Sequence, residues 1–337
     1  MHSSQPALSS GFLGNQFQVQ DGGFRTLHAP ILDPDSGGAR RPAPGGGDVP
    51  IRADKNAIAG EGERIRFSLL MSTYQGDAPE HCRQALQSIC DNSVLPDDLV
   101  LVLDGPAPEP LIAAIASFSH RLPLRLVHLS ENRGLGEALA VGLEHCRYNW
   151  VARFDADDIC MPDRFERQLA FIAENPHVDA FSSPVEEFRE SPGETNRLLK
   201  SVPCGSHALA VYARRRNPLN HMAVMFRKDR VLAAGNYQGE ACFEDYALWV
   251  RLLQQGACLD NMAESTVWVR AGRSMVMRRG GWRYARAEYD VQRKFLTSGF
   301  IGFPEFIRNL AVRIPIRLLS VGLRTGIYAV CLRRTVR

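Results

Sequence analysis

No run of eighteen or so apolar residues occurs in the 337-residue chain, which excludes a membrane-spanning helix of ordinary length. The first thirty residues lack the basic start and continuous apolar core of a signal peptide, so the chain is expected on the cytoplasmic side. Paired cysteines are missing too. The eight cysteines (Cys82, Cys90, Cys146, Cys160, Cys204, Cys242, Cys258, Cys331) stand singly, with no C-x-x-C pair or Cys/His knuckle, predicting a reducing compartment and no structural zinc. Strong charge imbalance is also absent: a net charge of +3 does not select nucleic acid as a partner, and any basic site must come from local clustering. Residues 1–63 have few clustered large apolar side chains and are rich in Gly, Pro, Ser and Asp, as in Ser36-Gly37-Gly38 and Pro42-Ala43-Pro44-Gly45. Such a segment buries too little surface to offset its ordering entropy, and a disordered leader is expected.

What is present begins at Arg66. With 45% hydrophobic residues overall, the remainder suffices for one α/β core, expected over 64–275, followed by a helical extension over 276–337. Phe67-Ser68-Leu69-Leu70-Met71 reads as a buried strand that ends in polar Ser72-Thr73-Tyr74. A helix from Pro79 to Cys90 follows, then a strand Leu99–Leu103, a helix near 109–119, a strand Leu124–Leu129, a helix Gly134–Cys146 and a strand Trp150–Phe154. This alternation predicts a mostly parallel sheet wrapped by helices on both faces. Ligands of such sheets sit beyond the strands' carboxyl ends, where Ser72–Tyr74, Asp104, Arg133 and Asp155–Asp158 all fall.

Asp155-Ala156-Asp157-Asp158 follows a buried strand, and alternate residues of an extended turn point to one side. Two hard carboxylates there suit Mg2+ or Mn2+. Taken alone, the same residues serve equally well as an acidic turn before a helix starting near Pro162. Likewise Glu244 and Asp245, in the first turn of a helix that continues through Leu248 and Leu252, complement a helix dipole whatever else they do.

The motifs Phe67–Tyr74, Leu103-Asp104-Gly105, Glu131-Asn132-Arg133-Gly134-Leu135-Gly136, Asp155–Asp158 and Met161-Pro162-Asp163-Arg164-Phe165 occur in an order that resembles the family 2 GT-A glycosyltransferases. The likeness covers about 66–270, and Arg278–Tyr284 is similar to the amylovoran-type exopolysaccharide enzymes. That resemblance implies an inverting transferase that uses a UDP-sugar, with galactose as the best guess, and a lipid-linked saccharide acceptor. It assigns Thr73, Tyr74, Asp104, Arg133 and Asp155 to the donor nucleotide, Asp155 and Asp157 to the metal, and Asp245 to the acceptor as general base. Glu244 and His221, the latter in Asn217-Pro218-Leu219-Asn220-His221, are expected beside the acceptor or donor sugar. Arg133 gains independent support, because Asn132-Arg133-Gly134 opens a helix whose N-terminus attracts anions.

From Phe303 the chain alternates apolar residues with Arg308, Arg313, Arg317 and Arg324 and has no acidic residue after Glu305. A basic amphipathic segment of this kind is expected to contact an anionic membrane surface peripherally, placing the protein at the inner face of the cytoplasmic membrane. Two rival readings remain at this stage. A sugar nucleotidyltransferase also joins a nucleotide-binding sheet to carboxylate-bound metal, but normally carries a Gly-rich, Arg-containing loop where Ser72-Thr73-Tyr74-Gln75-Gly76 stands. A non-catalytic sugar-nucleotide or glycan-binding module does not need the full set of carboxylates.

Overall fold

Buried apolar runs and short polar turns build the sheet that carries the site. The computed structural model describes residues 64–194, 197–271, 279–332 and 334–335, so residues 1–63, expected from sequence to be a leader, and Arg278 lie outside the described residues. Strands β1 (Phe67–Thr73), β2 (Asp98–Leu103), β3 (Leu124–His128) and β4 (Trp150–Asp155) run parallel in the order β4-β1-β2-β3. Helices α1 (Pro79–Cys90), α2 (Glu109–Ala116) and α3 (Leu135–His145) connect them. Every residue of β2 is buried, as expected for a strand covered on both faces. Helix α3 lies so close to the sheet that a Cβ on Gly142 would meet Leu70 and Val102 at 2.6 Å.

Past β4 the chain makes β5 (Ile159–Cys160), α4 (Arg164–Glu174), β6 (Ala180–Ser182), β7 (Val185–Phe188), β8 (Leu198–Lys200), α5 (Ser206–Ala213), β9 (Met225–Arg227), α6 (Lys228–Ala233), α7 (Glu244–Gln254), β10 (Leu259–Asn261) and β11 (Val267–Arg270). The main sheet reads β10-β6-β9-β4-β1-β2-β3, and β9 is antiparallel to both its neighbours. The sheet is thus mostly parallel, with one reversed strand. The strand read from sequence over Met222–Phe226 is shorter: His221–Ala223 form a 3-10 turn, and pairing begins at Met225. A smaller sheet contains β5, β11, β7 and β8, with β11 joining the turn after β4 to β7.

Three C-terminal helices complete the description: α8 (Trp282–Thr297), α9 (Phe303–Leu318) and α10 (Val321–Leu332). Helices α8 and α9 pack on α7 through Phe243, Tyr246, Val250, Val291, Phe295, Ile301 and Phe306. The same cluster fixes the start of α7, where Glu244 and Asp245 stand. Among the described residues no helix is long and apolar enough to cross a membrane.

Candidate active site

Asp104 directly follows β2, and Gly105 comes next at φ +88°. A Cβ on Gly105 would lie 2.6 Å from the Asn132 amide nitrogen, so only glycine allows the two loops to touch there. That approach brings the Asp104 carboxylate onto the Arg133 and Gly134 backbone N–H groups, at 2.7 and 2.9 Å. The buried carboxylate therefore supports the entrance of α3. Arg133 itself is exposed and lies 3.8 Å from Glu131. On the neighbouring loop, Thr73 Oγ1 and the Tyr74 N–H both donate to Asp77, at 2.8 and 3.2 Å, leaving the Tyr74 ring at the surface. Asp104→Asn turns one acceptor oxygen into a donor facing an N–H. Leaving such groups unsatisfied costs about 1–3 kcal/mol each, so calorimetry is expected to show a lowered thermal unfolding temperature. An unchanged temperature removes Asp104 as the strut of this loop.

The acidic turn is built at the next strand. Asp155 is the last residue of β4, level with Ser72 of β1. The ligand oxygens of Asp155, Asp157 and Asp158 all lie within 4.8 Å of one another. Asp158 is buried and accepts the Arg270 N–H at 2.9 Å. Burial, together with the charges of Asp155 and Asp157, pushes its carboxyl well above the usual carboxylate range. Three converging carboxylate oxygens match the donor set of a hard divalent cation, and a cation would relieve the repulsion between them. Asp158 belongs to this group although the motif reading named only Asp155 and Asp157.

Sequence reasoning also missed Arg153. Two residues before Asp155 on β4 it shares that residue's side of the sheet, is 2% exposed and forms an ion pair with Asp155. The buried Arg164 guanidinium holds the Arg153 carbonyl at 2.7 Å and lies over Phe154 and Phe165, anchoring the strand end. Arg153 Nε is buried with no hydrogen-bond partner among the described residues.

The opposite wall is the start of α7. Asp245 accepts Asn217 Nδ2 at 2.6 Å, and burial raises its carboxyl above the ordinary range despite that bond. Burial and the adjacent Asp245 push Glu244 to about 7. His221 is buried beside them, its Nε2 2.9 Å from the Tyr237 hydroxyl and its ring against Trp249. Desolvation, then Arg153 and Lys200, drive its pKa well below 6.5, so it is a neutral hydrogen-bonding group at physiological pH. Tyr237, another residue not singled out from sequence, is its fixed partner.

Arg153, Asp155, Asn217, His221, Glu244 and Asp245 all line one cleft of about 830 Å³, whose far side is made by α9 and the end of α5. Tyr74, Asp104 and Arg133 are not among its lining residues. The acidic turn thus stands between two regions, a loop edge beyond β1–β3 and a cleft running toward α9. This geometry brings Asp155 to the same space as Asp245, about ninety residues later in the chain.

Comparison with known proteins gives this arrangement its context. Residues 68–230 match glycosyl transferase family 2. The chain is 40% identical over 262 residues to the amylovoran biosynthesis glycosyltransferase AmsE of Erwinia amylovora, covering 78% of this chain and 97% of that protein. It is 38% identical over 269 residues to the Escherichia coli UDP-Gal:alpha-D-GlcNAc-diphosphoundecaprenol beta-1,3-galactosyltransferase, covering 80% and 97%. Among solved structures, S. aureus TarS in complex with UDP-GlcNAc superposes with a TM-score of 0.56 at 15% identity, covering 80% of this chain and 76% of that one. The mannosyltransferase PcManGT of Pyrobaculum calidifontis, in complex with GDP-Man and Mn2+, gives 0.56 at 16% identity, with the same coverages. At that identity the likeness shows the fold, GT-A, and nothing finer.

Proposed function

This chain belongs to glycosyl transferase family 2 and is a glycosyltransferase; we propose that it moves galactose from UDP-galactose to a hydroxyl of a lipid-diphosphate-linked saccharide, inverting the anomeric carbon. One observation carries the mechanism: the carboxylates of Asp155 and Asp245 face a single cleft. The donor assignment draws on the 38% identity to a galactosyltransferase that covers nearly the whole of that enzyme.

In this reading Thr73, Tyr74, Asp104 and Arg133 form the nucleoside edge, with Asp104 acting largely through the α3 loop it supports. Asp155, Asp157 and Asp158, whose ligand oxygens lie within 4.8 Å of one another, would hold a divalent cation, Mg2+ or Mn2+, which would supply positive charge for the departing diphosphate. Asp245 takes the proton from the acceptor hydroxyl as the new bond forms on the opposite face of the sugar, since the hydroxyl is a weak nucleophile until that proton is accepted. Asn217 fixes the Asp245 carboxylate in position through its 2.6 Å hydrogen bond. Glu244 and the neutral His221 stand where sugar hydroxyls need hydrogen-bond partners. Arg153 pairs with Asp155 and lines the same cleft as Asp245, supplying positive charge between the two carboxylate walls.

The lipid-linked acceptor brings the reaction to the cytoplasmic face of a membrane. Contact there is expected through an apolar outer surface rather than through arginines. Phe303, Ile307 and Leu318 of α9, Leu323 of α10 and Trp282 of α8 are all exposed, a composition that suits an interfacial surface. The arginines expected from sequence to face lipid phosphate are directed elsewhere: Arg313 and Arg317 pair with the buried Glu288, and Arg324 is buried.

The deciding assay supplies UDP-galactose, UDP-glucose, UDP-GlcNAc and GDP-mannose separately, with Mn2+ and an N-acetylglucosamine diphosphate alkyl acceptor. Transfer from UDP-galactose with a β-linked product is the expected result. Preference for another donor, an α-linked product, or synthesis of UDP-galactose from UTP and galactose 1-phosphate overturns the reading.

A further inference from the structure

The cleft beyond Asp245 is strongly basic, and its arginines fall into two groups. Some are committed to the fold. Arg313 and Arg317 share the buried carboxylate of Glu288, and beside the cleft Arg214 pairs with Glu305 in two hydrogen bonds of 2.8 and 2.7 Å. Arg313 also donates to the Arg215 carbonyl, and Asn309 donates to the Arg214 carbonyl at 3.0 Å. These bonds clamp α9 to the end of α5 and fix the width of the cleft between them. Others are not committed to an ion pair among the described residues: Arg215 and Arg216 at the end of α5, and Arg308 on α9, which donates to Asn309 Oδ1 at 3.1 Å, line the cleft. Across the whole lining, eight arginine and lysine side chains face three carboxylates, Asp155, Glu244 and Asp245. A rigid cleft with that excess concentrates anions and pays in self-repulsion when it is empty.

We propose that Arg215, Arg216 and Arg308 bind the diphosphate of the acceptor, holding it so that the attached sugar presents its hydroxyl to Asp245. This rests on the transferase reading above and adds the acceptor's charged group and its place. Two features separate this site from the donor's diphosphate. The nucleoside-edge residues Tyr74, Asp104 and Arg133 do not line the cleft, and the uncommitted arginines lie on its α5 and α9 walls, with Asp245 and its partner Asn217. The spacing is short as well. Arg216 directly precedes Asn217, which bonds Asp245, and consecutive Cα atoms lie about 3.8 Å apart. Guanidinium groups rooted there lie on the same wall as the residue that positions Asp245. Planar guanidinium groups supply the paired donors that phosphate oxygens accept. Where the diphosphate carries a single sugar, the enzyme that supplies this acceptor is one that joins a sugar phosphate to a lipid phosphate.

The test compares wild type with an Arg215→Gln/Arg308→Gln variant, its folding checked by thermal unfolding, and has two arms. In the first, galactose transfer is measured to N-acetylglucosamine carried on an alkyl diphosphate, an alkyl monophosphate and an uncharged alkyl chain. Wild type is expected to prefer the diphosphate, and that preference to fall by about tenfold for each arginine removed, without a matching change in KM for UDP-galactose. Equal use of charged and uncharged acceptors by wild type overturns the proposal while leaving the transferase reading intact. In the second arm, calorimetry follows the binding of dodecyl diphosphate, which has no sugar, in saturating UDP and Mn2+. Binding by wild type and its loss in the variant support the clamp even if no donor is turned over. Displacement by UDP assigns the arginines to the donor and overturns it. So does a variant that still binds dodecyl diphosphate but no longer binds phosphatidylglycerol vesicles, because its arginines then read membrane headgroups.

Discussion

Asp245→Asn is expected to lower kcat for sugar transfer by about 10²–10⁴-fold, the usual contribution of a positioned general base, while UDP-sugar binding measured by calorimetry persists. The substitution is nearly isosteric, the surroundings of Asp245 are set by α7 packing through Phe243 and Tyr246 on α8 and α9, and the partner Asn217, unlike the backbone donors on Asp104, can reverse its amide to accept from the new NH2, so the fold has little reason to change. What disappears is a carboxylate that burial has already made more basic than usual. Its neighbour gives the pH profile a second feature. Glu244 is pushed to about 7, so it loses its proton as pH rises through that value. The added negative charge makes Asp245 a stronger proton acceptor, and kcat/KM is expected to climb through about pH 7. Glu244→Gln fixes the uncharged state and should flatten the profile across that interval, leaving the steeper loss at lower pH to Asp245. Full turnover by Asp245→Asn would remove the base from this position; an inflection that survives Glu244→Gln assigns it to another group.

The parts of the site legible in the sequence are those where a buried strand stops and polar residues begin. Thr73, Asp104 and Asp155 are each the residue at which an apolar run gives out, and the parallel sheet lines those ends up along one edge. Arg153 was hidden by the opposite circumstance. It lies inside the run Trp150-Val151-Ala152-Arg153-Phe154, where a charge looks like an interruption of a strand. Its spacing of two from Asp155 was the available signal, because i and i+2 share a face. Asn217 lies in the same short polar group as His221, but nothing in the chain indicates that its partner is Asp245, 28 residues away. The C-terminal arginines show a different limit. Their periodicity identifies a basic helix, yet which face turns inward depends on Glu288 of α8 and the carbonyls at the end of α5. Those partners exist only once α7, α8 and α9 have packed, and they put the basic face on the cleft and the apolar face outside.

Chelation of divalent metal is expected to abolish transfer, and single substitutions in the acidic turn should divide its residues by what they do. Asp155, Asp157 and Asp158 bring three carboxylates within 4.8 Å; Arg153 pairs with Asp155, and Arg270 donates to the Asp158 carboxylate and the Asp157 carbonyl. Burial, then the charges of Asp155 and Asp157, hold the Asp158 carboxyl well above the usual carboxylate range, and a divalent cation would relieve the repulsion among the three. Loss of charge stabilisation worth several kcal/mol at a departing diphosphate corresponds to a fall of about 10³-fold or more in rate. Asp157→Asn should approach that loss and weaken Mn2+ binding as read by electron paramagnetic resonance, with little change in thermal unfolding. Asp158→Asn is the more informative variant because its carboxylate has a second duty, accepting the Arg270 N–H that ties the turn to β11. If that tie is its main role, unfolding temperature falls and Mn2+ affinity holds. If Asp158 is a ligand, affinity falls as well. Mn2+ affinity unaffected by either substitution, with activity retained in EDTA, would mean that the carboxylates crowd together for another reason, and the charge at the diphosphate would then fall to Arg133 and Arg153.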